Sequence, residues 1–274
     1  MSRLRSWGFV FCVAALALVL GGATPALAWG PIAHQAVTAK AIGTLPKGLE
    51  PFYKAHRLEL PTLAPDAQAS EEGQERRFAA DAFVPFPFAD LPRTEAAAKQ
   101  HYPDNPALAG RLPWLIQESY ARLVEDFKKK DREAILKESD ILAALVTDLH
   151  NPLALTANFD GQKSEQNGLW VRFSIKFPEV MEKKLHLNAD AARFLDNPQE
   201  FMVSMIKANY IWLDNLLYAD ELARRGKGVY GEIYYESLDI RAGDILKSCL
   251  SRAAEDAGSF WYTAWTAAGR PEMK

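Results

Sequence analysis

The stretch DREAILKESDILAALVTDL, residues 131–149, decides the fold class of this chain. Its apolar side chains recur at the three- and four-residue spacing of a helix that packs against a core. Asp131 at its start and Pro152 just beyond its end are typical signals for where a helix begins and ends. From Ile141 to Leu149 the segment is apolar almost all round, which predicts a buried helix.

Helical patterns continue on both sides of this stretch. Apolar residues between Ile116 and Phe127 share one face, and Lys128-Lys129-Lys130 suit the negative end of that helix. Asn197-Pro198-Gln199-Glu200 is a good helix start, with a cap, a proline in the first turn and an acid. A last helix is expected from about Leu238 to Ala267. The sequence therefore predicts one mostly α-helical, all-α domain.

Few segments lack the helical pattern. Val229–Tyr235 could be extended, because aromatic and branched residues cluster there. The proline-rich stretch Pro61–Pro92 and the polar stretch Phe159–Asn167 are expected to be loops.

The first 28 residues have the pattern of a secretion signal. Arg3 and Arg5 precede the apolar run Phe9–Leu20, and Ala26-Leu27-Ala28 forms a small-residue cleavage site. We expect residues 1–28 to be removed and residues 29–274 to form a single exported domain, secreted or periplasmic. No later apolar stretch is long enough to span a bilayer, so no transmembrane anchor is expected.

Charge and cysteine content narrow the function classes. The formal net charge of −3 becomes more negative without Arg3 and Arg5, which disfavours a broad nucleic-acid-binding surface. It does not exclude a nuclease whose metal ions supply the positive charge. Cys12 lies in the signal, so Cys249 would be alone and no intramolecular disulfide is expected.

Asp148 is the first candidate functional residue. A buried carboxylate is costly unless it is paired, hydrogen-bonded or bound to a metal, so an arginine, a loop amide and a metal ion are all open as its partner. His34 falls in the first turn of a helix that Pro31 opens. Cleavage after Ala28 would give Trp29 a free α-amine, which together with its carbonyl oxygen can chelate a metal ion.

A series of short motifs between residues 29 and 175 resembles the superfamily of bacterial zinc-dependent phospholipase C and fungal single-strand-specific nucleases. The mature terminus Trp29-Gly30-Pro31-Ile32-Ala33-His34 is the most specific of them. The others follow in family order and are Ala64-Pro65-Asp66, Pro87–Arg93, Leu112–Gln117, Thr147-Asp148, Pro152-Leu153 and Asn158–Gln162.

The resemblance implies an all-α fold that holds three zinc ions. Trp29, His34 and Asp148 match the ligands of one zinc ion, and Asp66 matches a second aspartate that acts as general base. The remaining metal-ligand positions are occupied by other residue types, and they are Phe78, Ala144, Ala154, Trp170 and Ser174, with Ala69 near the position of a phosphate-binding arginine. A rival alignment puts Asp90 and His101 in place of Asp66 and Phe78.

These losses lead us to expect a degenerate homologue without ordinary nuclease or phospholipase activity, because phosphodiester hydrolysis in this family needs clustered zinc. It would keep at most one zinc ion, at Trp29, His34 and Asp148, unless Asp148 simply pairs with the Trp29 ammonium group and His34. Its ligand in the old cleft would be a phosphate-containing molecule or a protein partner. Two alternatives stay open: a metal-dependent hydrolase that uses Asp66 as base, and a binding protein that shares only the fold.

Overall fold

The structure is a computed structural model that describes residues 28–60, 75–225 and 230–273. Within these ranges the chain is helical and contains no β-strand, which confirms the all-α prediction. Short 3₁₀ turns and one π-helical segment, Val171–Lys176, join the α-helices. The α-helices are α1 (Pro31–Ile42), α2 (Glu50–Ala55), α3 (Glu95–His101), α4 (Leu112–Lys129), α5 (Arg132–Leu149), α6 (Phe177–Met181), α7 (Pro198–Tyr210), α8 (Leu213–Arg224) and α9 (Glu232–Ala267).

Helix α5 lies in the core, as its sequence predicts. Asp131 caps it by accepting a hydrogen bond from the Ala134 amide at 3.1 Å. The preceding Lys130 has a left-handed backbone, with φ of 57°, which ends α4 and turns the chain into α5. Helix α5 then packs against α4, α1 and α9, and its residues from Leu142 to Leu149 are all buried. The predicted start at Asn197 is also confirmed, because its side chain accepts from the Glu200 amide at 3.2 Å.

The long helix α9 crosses the domain and contacts α1, α4, α5 and α8. It begins at Glu232, earlier than predicted, so the extended conformation proposed for Val229–Tyr235 is wrong for residues 232–235, while Val229 lies outside the described residues. Burial explains the difference: Tyr234 and Leu238 are fully buried and lie four residues apart on one helical face. Cys249 is buried within α9, as expected.

The loop predictions hold wherever the chain is described. Residues 75–92 carry only the short 3₁₀ turn Ala80–Ala82, and residues 159–167 form a series of turns. Residues 61–74, and residues 1–27 of the proposed signal, lie outside the described part of the chain. None of the described helices has the length and apolar character needed to cross a membrane.

Candidate functional site

Trp29 and His34, two of the three predicted metal ligands, each place a nitrogen atom beside the same carboxylate oxygen of Asp148, the third. The carboxylate of Asp148, near the end of α5, is fully buried. Its Oδ1 accepts from the Trp29 backbone nitrogen at 3.2 Å and lies 2.8 Å from His34 Nε2. Trp29 is fully buried and His34 nearly so. Trp29 and His34 are therefore adjacent to Asp148, although Asp148 lies more than a hundred positions from both of them in the sequence.

The other carboxylate oxygen of Asp148 is paired with Arg76. Arg76 Nε donates to Oδ2 at 2.5 Å, and Arg76 Nη2 lies at the same distance from that oxygen. The arginine side chain is almost completely buried, so the contact is a buried ion pair. Sequence reasoning allowed an arginine partner for Asp148 without naming one. No local pattern around Arg76 in the sequence links it to Asp148.

Hydrogen bonds to main-chain atoms next to Trp29 and Arg76 help to hold these residues near Asp148. The amide of Gly30 donates to the carbonyl oxygen of Ser174 at 2.9 Å, and Asn151 Nδ2 donates to the carbonyl oxygen of Ala28. On the Arg76 side, the Phe78 amide donates to the Ala154 carbonyl oxygen at 2.7 Å. Hydrogen bonds to main-chain atoms thus tie the chain next to Trp29 and next to Arg76.

The donor set fits a zinc ion poorly. A divalent ion at this corner needs carboxylate lone pairs, and Asp148 Oδ2 already faces a guanidinium group. That group stays protonated in proteins, so its positive charge is permanent. A zinc ion beside it would meet like-charge repulsion in a buried environment of low dielectric constant. No cluster of three or more His, Cys, Asp or Glu side chains suited to a metal occurs among the described residues.

Three of the other positions that the resemblance aligns with metal ligands are Phe78, Ala154 and Ser174. Phe78 is buried and packs edge-on against Trp114, with ring centroids 5.5 Å apart. Ala154 is fully buried beside the Phe78 backbone, and the Ser174 hydroxyl accepts from Asn151 Nδ2 at 2.9 Å. The side chains at these three positions bind metal poorly or not at all.

The remaining candidate site residues differ in where they lie and in how exposed they are. Asp66 falls in residues 61–74 and so lies outside the described residues. Asp90 is exposed, and so is His101 at the end of α3, where its Nδ1 lies 2.8 Å from the Ala97 carbonyl oxygen. Phe78, by contrast, is buried next to Ala154. Phe78 is thus buried, whereas Asp90 and His101 of the rival alignment are exposed, and the choice between the two alignments stays a prediction.

A second buried polar cluster surrounds His150, at the end of α5. Its Nε2 lies 3.0 Å from Asp256 Oδ2 and its Nδ1 lies 3.2 Å from Asn209 Oδ1. The Asn209 Nδ2 group donates to the Met205 carbonyl oxygen, which fixes its Oδ1 toward the imidazole. The cluster connects α5 to α7 and α9, and the sequence pattern did not predict it.

Comparison with known proteins assigns no family. No protein-family model matches the chain, and no curated protein matches it.

Proposed function

We propose that this chain is an exported, non-hydrolytic member of the zinc-dependent phospholipase C and single-strand-specific nuclease superfamily. In this proposal the former metal site at Trp29, His34 and Asp148 has become a buried ion-pair cluster. The observation that carries the proposal is the contact of Arg76 with Asp148 Oδ2. A guanidinium group there supplies the positive charge that a metal ion would otherwise supply.

The chemistry follows from that contact. An aspartate that bridges two metal ions offers them lone pairs of its carboxylate oxygens, and a guanidinium group that faces one of those oxygens competes with a metal ion for it. Here Oδ1 faces Trp29 and His34, and Oδ2 faces Arg76. Water activation and neutralisation of phosphate charge by clustered zinc therefore have no support at this carboxylate. We infer that the protein acts by binding, with a phosphate-containing ligand or a protein partner as its target.

Metal analysis of the natively processed protein tests the proposal. The protein is dialysed, and its zinc content is measured together with hydrolysis of bis(p-nitrophenyl) phosphate, single-stranded DNA and phosphatidylcholine. We expect zinc well below one equivalent and no hydrolysis above the buffer rate. Arg76→Met is the informative variant: removing the guanidinium group frees Oδ2, so this variant should bind more zinc than the wild type.

Zinc binding together with hydrolysis would contradict the proposal. One equivalent of zinc in the wild type, lost in Asp148→Asn and accompanied by hydrolysis, would establish a metal-dependent hydrolase instead. Asp66→Asn would then test the general base. Binding of a ligand or partner without zinc, in a protein whose mature terminus is not Trp29, would favour the alternative in which only the fold is shared.

A further inference from the structure

A pocket of about 230 Å³ lies beside Arg77, the residue next to the ion-paired Arg76. Alanine, proline and glycine residues form most of its walls, and the ring of Phe159 forms another. Its volume is below the ~300–1,000 Å³ typical of sites for drug-sized ligands. The pocket therefore suits a small molecule with an apolar body.

Arg77 brings a positive charge to this pocket. Its guanidinium carbon lies 3.7 Å from the ring centroid of Phe159 and 5.9 Å from that of Trp170. Stacking on an aromatic face holds the planar group in a fixed orientation. The cation is therefore positioned by its neighbours.

One donor of that cation has no acceptor. Arg77 Nη1 is buried and makes no hydrogen bond within the described part of the chain. The indole Nε1 of Trp170, in the same cluster, is likewise buried and unpartnered there. Buried donors are nearly always satisfied in folded proteins, and an exception calls for an explanation. A bound acceptor is the simplest one.

The charge around Arg77 suits a ligand with a single negative charge. No described carboxylate lies within ion-pair distance of Arg77, and Asp160 acts on it only from farther away. Burial lowers the pKa of the guanidinium group, and the negative charge of Asp160 raises it. Asp160 is held in place by the amides of Gly168 and Trp170. One cation near a fixed carboxylate favours a monoanion over a dianion.

We propose that the Arg77 pocket binds a small organic monoanion, with its anionic group on Arg77 and its apolar body against Phe159 and the alanine wall. A carboxylate and a phosphate diester share this chemistry. The inference rests on the proposed function, because it names the ligand class of a non-hydrolytic protein.

Calorimetric titration of the mature protein with EDTA present tests the pocket. The probes are benzoate, methyl phenyl phosphate, and their neutral counterpart benzamide. We expect at least one of the two monoanions to bind and benzamide not to bind. Arg77→Met should weaken binding about tenfold or more, since a hydrogen bond to a charged group contributes roughly 1.5–3 kcal/mol. Arg241→Met, which removes an exposed arginine on α9, is the matched control and should bind like the wild type.

A second variant guards against misfolding of Arg77→Met. Ala82 is exposed and lines the pocket, so Ala82→Phe should block the pocket without changing the core or Arg77. Binding of benzoate would identify the ligand as a carboxylate, and binding of methyl phenyl phosphate would identify it as a phosphate diester. Equal binding of benzamide, no binding of either monoanion, or undiminished binding in Arg77→Met would overturn the inference. Because the titration contains EDTA, its outcome is independent of the zinc and hydrolysis assays that decide the proposed function.

Discussion

Replacing Asp148 with asparagine is the most demanding test of the buried ion-pair cluster. The substitution keeps the size of the side chain but removes its charge, so Arg76 is left as an uncompensated buried cation. The asparagine amide can accept hydrogen bonds through one oxygen only, whereas Asp148 now accepts through both. Its NH₂ group would then face donors of Arg76 or of Trp29 and His34.

The expected loss of stability is large. Removing one partner of a buried ion pair costs about 3–5 kcal/mol. Single domains have unfolding free energies of only ~5–15 kcal/mol, so the variant should unfold at much lower urea concentration. Urea unfolding followed by circular dichroism, with EDTA present, measures the change. Glu125→Gln, which removes one half of the exposed pair of Glu125 with Lys128, is the control and should unfold like the wild type.

A double variant decides whether the loss comes from the pair itself. Arg76→Met with Asp148→Asn removes both charges, so it should be more stable than the sum of the single changes by roughly 1–3 kcal/mol. A single Asp148→Asn variant with wild-type stability, or a double variant with purely additive effects, would refute the argument that Arg76 and Asp148 stabilise the fold as a pair.

Three further predictions rest on other described residues. Gly110→Ala should destabilise the protein by about 1–3 kcal/mol in urea unfolding, because a Cβ there would lie 2.5 Å from the Arg77 carbonyl oxygen; wild-type stability would show that the backbone yields freely. Burial raises the pKa of the Cys249 thiol to about 12, so iodoacetamide should label it at pH 8 only in urea, as mass spectrometry would detect; labelling of the folded protein would contradict its burial. Asn197→Ala removes the cap of α7 and should cost about 1 kcal/mol, whereas Asn197→Ser should retain most of the stability.

The elements that the sequence predicts best are those where local and global signals agree. Asp131 and Asn197 cap helices whose buried faces follow a clear period of three to four residues, so α5 and α7 begin where expected. The first turn of α9 was missed because Tyr234 and Tyr235 favour strands locally, whereas their burial in the domain requires a helix. Such an effect of tertiary packing cannot be read from a short window of sequence.

The candidate site was predictable only in part, for a similar reason. A carboxylate in an apolar helix signals that some partner exists, and the resemblance suggested Trp29 and His34, which do contact Asp148. Arg76 comes from a segment without helical periodicity, so nothing local links it to Asp148. Arg77 is still harder to predict, because the observation that singles it out is a buried Nη1 donor without an acceptor, which only the structure shows.

The burial of the Ala28–Trp29 peptide bond bears on the order of events during export. Both residues are fully buried, and the Ala28 carbonyl oxygen accepts a hydrogen bond from Asn151. A protease needs an accessible, extended segment around the bond that it cleaves. If the proposed signal is removed at this bond, we expect cleavage to precede folding. Maturation would then depend on whether cleavage is faster than folding. A chain that folds before cleavage would retain the proposed signal.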